Sequence, residues 1–191
     1  LVNEDGKNNT LAVRLENRPQ SSRWYPGAGL YRNVHVVTTE KIHVPVWGTQ
    51  ITTPYVKDEY ASVCLRTTIL NAGKTELTVV TDIMDADGQV VSTKTNKGVI
   101  NHGQPFTQNF IVERPKLWSP ETPVLYKAVS KIYSGDTLLD TYSTRFGIRT
   151  IEYIADKGFY LNGKRRKFQG VCNHHDLGPL GAAINVAALR H

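Results

Sequence analysis

The side chains best suited to chemistry lie together near the carboxyl end of the chain, at His174, His175 and Asp176. Successive side chains of a strand point to opposite faces, so on a strand His174 and Asp176 share a face and His175 points away. A zinc site needs several ligands that converge on one point, whereas adjacent histidines on a strand diverge. The pattern therefore disfavours a metal site and, by itself, leaves a structural role open.

The charge of the chain does not indicate a nucleic-acid or membrane partner. Although the formal net charge is +6, the basic residues are scattered, and their one tight run is Lys164 to Lys167. No RRM, KH or helix-turn-helix pattern accompanies that run, so we interpret it as a solvated hairpin. No apolar run approaches the roughly 20 residues of a membrane-crossing helix. A serine hydrolase is also disfavoured, because the chain has no Gly-x-Ser-x-Gly sequence.

The two cysteines do not indicate a compartment. Cys64 and Cys172 are far apart, and each lies in an apolar context typical of a strand. We predict two buried free thiols rather than a disulfide framework. The first residues do not resemble a signal peptide, but the amino terminus is not informative, and a periplasmic and a cytoplasmic location both stay open.

The elements that must position these residues are predicted to be short strands. Leu11–Glu16 alternates apolar and polar residues, and Leu30–Thr38 is rich in β-branched and aromatic residues. Seven further strand segments follow at regular spacing, with turns at residues 85–88 and 134–136, and they predict an antiparallel β-sandwich of immunoglobulin type. These segments are Gln50–Thr53, Ala61–Leu70, Glu76–Met84, Val90–Thr95, Phe106–Val112, Val124–Tyr133 and Leu138–Arg145.

The sequence pattern changes at Phe159. Asn162 and Gly163 predict a two-residue hairpin turn, with Lys167–Val171 as the returning strand. Ala182–Leu189 is rich in alanine and leucine and predicts a helix that breaks off early. A strand followed by a loop and the beginning of a helix is typical of the opening of an α/β unit.

Five segments, in this order, carry a resemblance to glycoside hydrolase family 2, most of all to its β-galactosidases. They are Ser22–Val34, Leu117–Tyr126, Phe146–Arg149, Gly158–Lys164 and Gly170–Asp176. The resemblance implies a mainly β internal fragment. Residues 1–43 would be the last strands of a sugar-binding jelly roll, 44–153 an immunoglobulin-like sandwich, and 154–191 the truncated start of a catalytic (β/α)₈ barrel.

The resemblance gives His174 and Asp176 a role in substrate binding. Gly170–Asp176 is similar to the first barrel strand, which ends at the face where barrel enzymes carry out their chemistry. His174 matches the family histidine that hydrogen-bonds sugar hydroxyls, and Asp176 shares its face. Cys172 stands where relatives often have asparagine. In the Ser22–Val34 segment, Trp24 and Tyr31 flank the loop that leans over the active site, but no carboxylate precedes Trp24.

The same resemblance implies that this chain contains no catalytic residue. Retaining glycoside hydrolysis needs two carboxyl groups about 5 Å apart, which the family supplies as glutamates on later barrel strands. The last glutamate here is Glu152, and Asp176 is the only carboxylate beyond Phe159. We therefore expect an inactive fragment without a cofactor, cut from a parent that binds a β-galactoside or related oligosaccharide. Whether the parent uses a divalent cation stays open.

Two alternatives remain open. In the first, the parent is a β-mannosidase or a β-glucuronidase. The sequence leaves this choice open because the residues that recognise the sugar lie mostly downstream. In the second, residues 45–155 form a complete carbohydrate-binding or adhesion module that uses exposed tryptophan and tyrosine side chains. The segment Gly170–Asp176 favours the enzyme, since an adhesion module has no use for a barrel strand. The open strand edges of the two flanking pieces would favour self-association.

Overall fold

The computed structural model describes residues 8–16, 18–20, 29–30, 33–70, 73–172, 180–181 and 185–190. The chain divides into two compact units, one formed by Thr38–Gln169 and the other by Leu1–Val37 together with Gly170–His191. The described strands lie in the larger unit, and the described helix lies in the smaller one.

Seven of the ten described strands in the larger unit form two antiparallel sheets. One sheet has the order β1-β2-β5 and the other has the order β4-β3-β6-β7. The strands are β1 (Thr49–Val56), β2 (Tyr60–Thr68), β3 (Glu76–Met84), β4 (Val90–Val99), β5 (Pro105–Glu113), β6 (Tyr126–Ser134) and β7 (Thr137–Phe146).

The core lies between the inward faces of these two sheets. On β2 every second side chain is buried, and β3 and β6 show the same alternation. One apolar cluster joins Leu65 of the first sheet to Ile83 of the second, and another gathers Leu77, Val79 and Ile132 towards the opposite end. Alternating burial on two facing antiparallel sheets defines a β-sandwich. The predicted mainly β, immunoglobulin-like sandwich is therefore confirmed.

A buried polar layer separates the two apolar clusters. The Thr81 hydroxyl donates a 2.7 Å hydrogen bond to Oε1 of Gln108, and its oxygen lies 2.8 Å from the Ser130 hydroxyl, which can donate to it. Nε2 of Gln108 donates to Oδ1 of Asn96 at 3.0 Å. Buried polar groups are costly without such partners. Because Gln108 lies on the first sheet and the other three lie on the second, this layer fixes how the two sheets align.

Each of the seven sandwich strands coincides with a predicted segment, and the ends differ by at most a few residues. Glu76–Met84 has the predicted bounds, whereas β4 continues beyond the predicted Thr95 to Val99. The turn before β4 has Gly88 at a φ of +81°, a conformation that glycine adopts at low cost. Regularly spaced strand segments and the turn residues between them were thus sufficient to locate the sandwich.

A third, smaller sheet follows the sandwich and has the order β10-β9-β8. Its strands are β8 (Ile151–Ile154), β9 (Gly158–Leu161) and β10 (Lys164–Arg166). The predicted returning strand Lys167–Val171 is wrong. Asn162 and Gly163 have φ values of +50° and +71°, which make a tight two-residue turn, so pairing resumes at once with Lys164 opposite Leu161.

The first unit differs from the sequence expectation. Leu11–Glu16 and the described part of Leu30–Thr38 form no strand, and Leu11 and Val36 are 71% and 79% exposed. An alternating pattern marks a face that needs neighbouring strands to complete a ladder. Neither described segment pairs with a strand, so the two strand predictions are wrong for this chain.

The described helix, α1 (Val186–Leu189), begins later than predicted. Asn185 has extended backbone angles, and its side chain accepts a 3.1 Å hydrogen bond from the backbone N–H of Ala188. Asn185 is therefore the N-cap that begins the helix rather than an interior residue. Residues 182–184 lie outside the described part of the chain. Among the helices that the structure describes, none is long and apolar enough to span a membrane.

Both cysteines are free, as predicted, but neither is fully buried. Cys64 is half-buried and Cys172 is exposed. Cys64 lies between Val63 and Leu65, which face the core, so its own side chain belongs to the outer face of β2. Cys172 follows a segment that has no strand partner. Burial of both thiols was therefore a wrong prediction.

Candidate functional site

The residues predicted to bind substrate fall outside the described part of the chain. His174 and Asp176 belong to the range 173–179, and Trp24 and Tyr31 also fall outside the described residues. Their proposed contacts with sugar stay predictions. What the structure describes is the segment that leads towards them, up to Cys172.

Three of the five motifs meet at one place, which we call the junction. It comprises the Trp118–Thr122 loop, the segment Gly147–Thr150 after β7, and the hairpin of β9 and β10. The backbone N–H of Trp118 donates to the carbonyl of Ile148 at 2.8 Å, which joins the first two of these segments. The motifs are therefore parts of one contact, although they are far apart in the sequence.

Asn162 ties the hairpin to both of the other segments. Its backbone N–H donates to the carbonyl of Thr150 at 3.0 Å, and its Oδ1 accepts a bond of the same length from the Thr150 N–H. Its Nδ2 donates to the carbonyl of Trp118, also at 3.0 Å. One side chain thus satisfies backbone groups on two other segments. Since asparagine also tolerates the positive φ of this turn, it fits both requirements.

Trp118 provides the surface on which the Gly147–Thr150 segment lies. A Cβ atom at Gly147 would come within 2.7 Å of the Trp118 Cβ, so only glycine permits this approach. The Arg149 guanidinium lies 5.5 Å from the centre of the Trp118 ring, within the range of a cation–π contact. The close packing explains why a glycine and an arginine flank Ile148 in this motif.

An ion pair closes the junction on its other side. Nη1 and Nη2 of Arg166 donate to the two carboxylate oxygens of Glu121 at 2.6 and 2.7 Å. This two-point geometry is the strong form of an arginine–carboxylate contact. The Arg166 hydrogen bonds, followed by bonds from the Glu121 backbone and from Ser119, hold the pKa of the Glu121 carboxyl below its ordinary value.

The ion pair corrects the interpretation of the basic run. Three of its four residues are exposed, as expected of a solvated hairpin: Lys164, Arg165 and Lys167. Arg166, in contrast, points at Glu121 and is partly buried. Its Nε is buried and has no hydrogen-bond partner among the described residues. Sequence alone could not select Arg166, because its partner lies 45 residues away.

The junction is suited to positioning rather than to catalysis. Its one carboxylate, Glu121, is ionised and held at both oxygens by Arg166, so it has no proton to donate as a general acid. Within the described residues, no group of three or more His, Cys, Asp or Glu side chains is placed to hold a metal ion. The arrangement can fix where the chain leaves the sandwich, just before the segment that carries His174.

The lowered pKa of Glu121 predicts how the junction responds to pH. A carboxyl whose pKa is lowered by folding stabilises the folded state at pH values above its pKa in the unfolded chain. That stabilisation is lost as the pH falls through its pKa in the folded chain. We expect Glu121→Gln to lower the thermal midpoint at pH 7, with a difference from the unmodified chain that shrinks progressively as the pH falls below the ordinary pKa of 4.5. Thermal unfolding followed by circular dichroism between pH 7 and pH 3 measures this.

Glu76→Gln is the matched control for this prediction. Glu76 lies 3.4 Å from Lys97, and both side chains are more than half exposed, so its loss should matter less. An equal effect of the two substitutions, or a Glu121→Gln effect as large at pH 3 as at pH 7, would contradict the assigned role of the Glu121–Arg166 pair.

Comparison with known proteins decides the family. The model of the glycosyl hydrolases family 2 matches residues 42–149, more than half of the chain. This chain belongs to that family. The match covers the sandwich and extends to Arg149 at the junction, so it includes the Trp118 and Gly147 motifs.

Individual relatives agree with this family. A β-galactosidase of Bacteroides ovatus is 45% identical over 189 residues, which are 96% of this chain and 22% of that protein. A β-glucuronidase of Formosa agariphila is 30% identical over 190 residues, covering 86% of this chain and 19% of that protein. The crystal structure of a glycosyl hydrolase family 2 member from Bacteroides cellulosilyticus aligns with a TM-score of 0.75 at 32% identity, over 87% of this chain and 22% of that chain. The family 2 chain therefore spans about a fifth of the length of these relatives.

Proposed function

We propose that the parent of this family 2 chain is a retaining glycoside hydrolase that removes terminal β-galactosyl residues. The observation that carries the proposal is the 45% identity to a β-galactosidase over 96% of the chain. Family membership supports the reaction class, and the 45% identity to a galactosidase exceeds the 37% identity to a putative β-glucuronidase of Formosa agariphila, which supports the sugar.

This chain supplies the scaffold of that enzyme rather than its chemistry. In the proposal, residues 1–43, 44–153 and 154–191 are the end of the sugar-binding domain, the sandwich and the start of the catalytic barrel. Two carboxyl groups are needed for the retaining mechanism, and the chain has no glutamate beyond Glu152. His174, with Asp176 on the same strand face, is proposed to bind sugar hydroxyls at the end of the first barrel strand.

A panel of aryl glycosides tests the proposed specificity. We expect the full-length parent to hydrolyse an aryl β-galactoside with a higher kcat/KM than the corresponding β-glucuronide and β-mannoside. Product analysis by NMR should show retention of the anomeric configuration, because the mechanism passes through a covalent intermediate. Preference for the glucuronide would replace the sugar assignment, and inversion would contradict the mechanism.

The binding-module alternative has one observation in its favour. Trp47 is 92% exposed, in a turn closed by a 2.8 Å hydrogen bond from the Gly48 N–H to the Pro45 carbonyl. An exposed tryptophan held outward is a common platform for stacking on sugars. Titration of the 191-residue chain with galactan, followed by tryptophan fluorescence, separates the alternatives. A saturable change lost in Trp47→Ala would favour the binding module.

A further inference from the structure

A cluster of aromatic rings lies exposed on the third sheet. The ring centres of Tyr153 and Phe159 are 5.2 Å apart, and those of Phe159 and Phe168 are 4.7 Å apart. Tyr153 and Phe168 are nevertheless 77% and 76% exposed. Contiguous apolar rings left in solvent commonly mark a surface that another part of an assembly covers. We call this surface the aromatic cluster.

The strand ladder holds the aromatic cluster in a defined place. Tyr153 and Phe159 are direct partners in the pairing of β8 with β9, so their side chains share one face. Arg166 is the partner of Phe159 on β10, and its contact with Glu121 fixes the same hairpin to the sandwich. The third sheet therefore holds the rings in position, and the Arg166–Glu121 ion pair fixes that sheet to the sandwich.

We infer that the aromatic cluster is the docking surface for the amino-terminal face of the parent's (β/α)₈ barrel. This inference rests on the proposed function, which supplies the barrel. The direction of the chain supports this inference. β10 ends at Arg166, and the segment resembling the first barrel strand is Gly170–Asp176. A barrel strand runs from its amino-terminal face to the catalytic face at its carboxyl end. Residues that immediately precede the first strand, Phe168 among them, therefore lie at the opposite face from the chemistry.

The length of this chain relative to its relatives also supports the barrel as the part that covers the aromatic cluster. This chain spans about a fifth of the relatives that it matches, so most of a family 2 enzyme is available to cover the rings. The interior of such a barrel is packed with layers of apolar side chains rather than open. The apolar rings of the aromatic cluster match the end of such an apolar interior in chemistry. Through the junction, this contact sets the orientation of the barrel relative to the sandwich.

Cysteine labelling tests the contact in both the 191-residue chain and the full-length parent. The variant Tyr153→Cys is treated with a water-soluble maleimide, and mass spectrometry reads its labelled peptide separately from those of Cys64 and Cys172. We expect labelling at position 153 in the parent to be on the order of 100-fold slower than in the short chain, because it then requires local opening. Phe168→Cys, at the other end of the cluster, serves as a second variant if the first fails to fold.

Glu152→Cys is the matched control, because Glu152 is exposed and adjacent to Tyr153 on β8 but points to the opposite face. Equal protection at positions 152 and 153 would contradict a contact through one face. Equal labelling at position 153 in an active parent and in the short chain would overturn the docking inference while leaving the proposed function intact. Protection at position 153 in a parent that is inactive on every aryl glycoside would support the docking inference and overturn the proposed function. Protection in the short chain that disappears on dilution would overturn the inference by assigning the surface to a second copy.

Discussion

Replacing Tyr126 by alanine is expected to lower the free energy of unfolding of the isolated chain by about 3–5 kcal/mol, the usual cost of removing a buried aromatic ring. Tyr126 is 3% exposed in the apolar cluster that joins the two sheets, and its ring centre lies 5.8 Å from that of Phe146. Its hydroxyl oxygen accepts a 2.9 Å hydrogen bond from the Lys116 N–H. Urea unfolding followed by circular dichroism measures the change.

Two substitutions separate the ring of Tyr126 from its hydroxyl and from general effects. Tyr126→Phe keeps the ring and removes only the bond from Lys116, so we expect a loss of about 0.5–1.5 kcal/mol. Leu138→Ala removes an apolar side chain that is 50% exposed on β7, and such a surface change should cost no more than about 0.5 kcal/mol. A loss below about 1 kcal/mol for Tyr126→Ala would mean that the sandwich core is not packed as described.

Replacing His174 by alanine in the full-length parent is expected to lower kcat/KM by roughly 30- to 150-fold. The expectation follows from the proposal that His174 hydrogen-bonds a sugar hydroxyl more strongly in the transition state, a contact worth about 2–3 kcal/mol. The fall should occur mainly in kcat, with an unchanged thermal midpoint, which distinguishes substrate contact from packing. Steady-state kinetics on an aryl β-galactoside measures it.

His175→Ala is the control for this second prediction, because a neighbour on a strand points to the opposite face. It should leave kcat/KM within a few-fold of the unmodified enzyme. If the two substitutions have equal effects, the predicted strand alternation fails at this segment. If His174→Ala keeps normal kinetics or simply unfolds, the assignment of His174 to the sugar site must be withdrawn.

The sandwich was predictable because its information is local. In Glu76–Met84 the apolar residues Leu77, Val79 and Ile83 stand at alternate positions, and β3 buries every second residue accordingly. The alternation needs no knowledge of the partner strand, only of the period of a pleated strand. Turn residues such as Gly88 completed the prediction, since a positive φ there is inexpensive for glycine.

The same reasoning failed where pairing depends on something other than the pattern itself. Leu11–Glu16 alternates as clearly as β3, yet its described residues join no ladder. β8, residues Ile151–Ile154, was missed, although its β-branched and aromatic composition was a usable signal. A strand pattern records which face would be buried, whereas formation of the strand also requires a partner.

The junction could be predicted only in parts. Sequence identified Asn162 as a turn residue, and resemblance identified the Trp118 and Gly147 motifs, but nothing local indicated that the three meet. The Glu121–Arg166 pair is also a long-range contact, and the run Lys164–Lys167 offered four basic candidates for it. Contacts between distant segments follow from the fold and cannot be inferred from composition or spacing.

The most direct test of the central claim compares the 191-residue chain with its full-length parent on an aryl β-galactoside at equal molar concentrations. We predict that the parent turns over the substrate, whereas the short chain unfolds cooperatively in urea and yet releases no product, because it provides the scaffold without the two catalytic carboxyl groups. Turnover by the purified short chain, or a correctly folded parent that hydrolyses no aryl glycoside, would contradict the account.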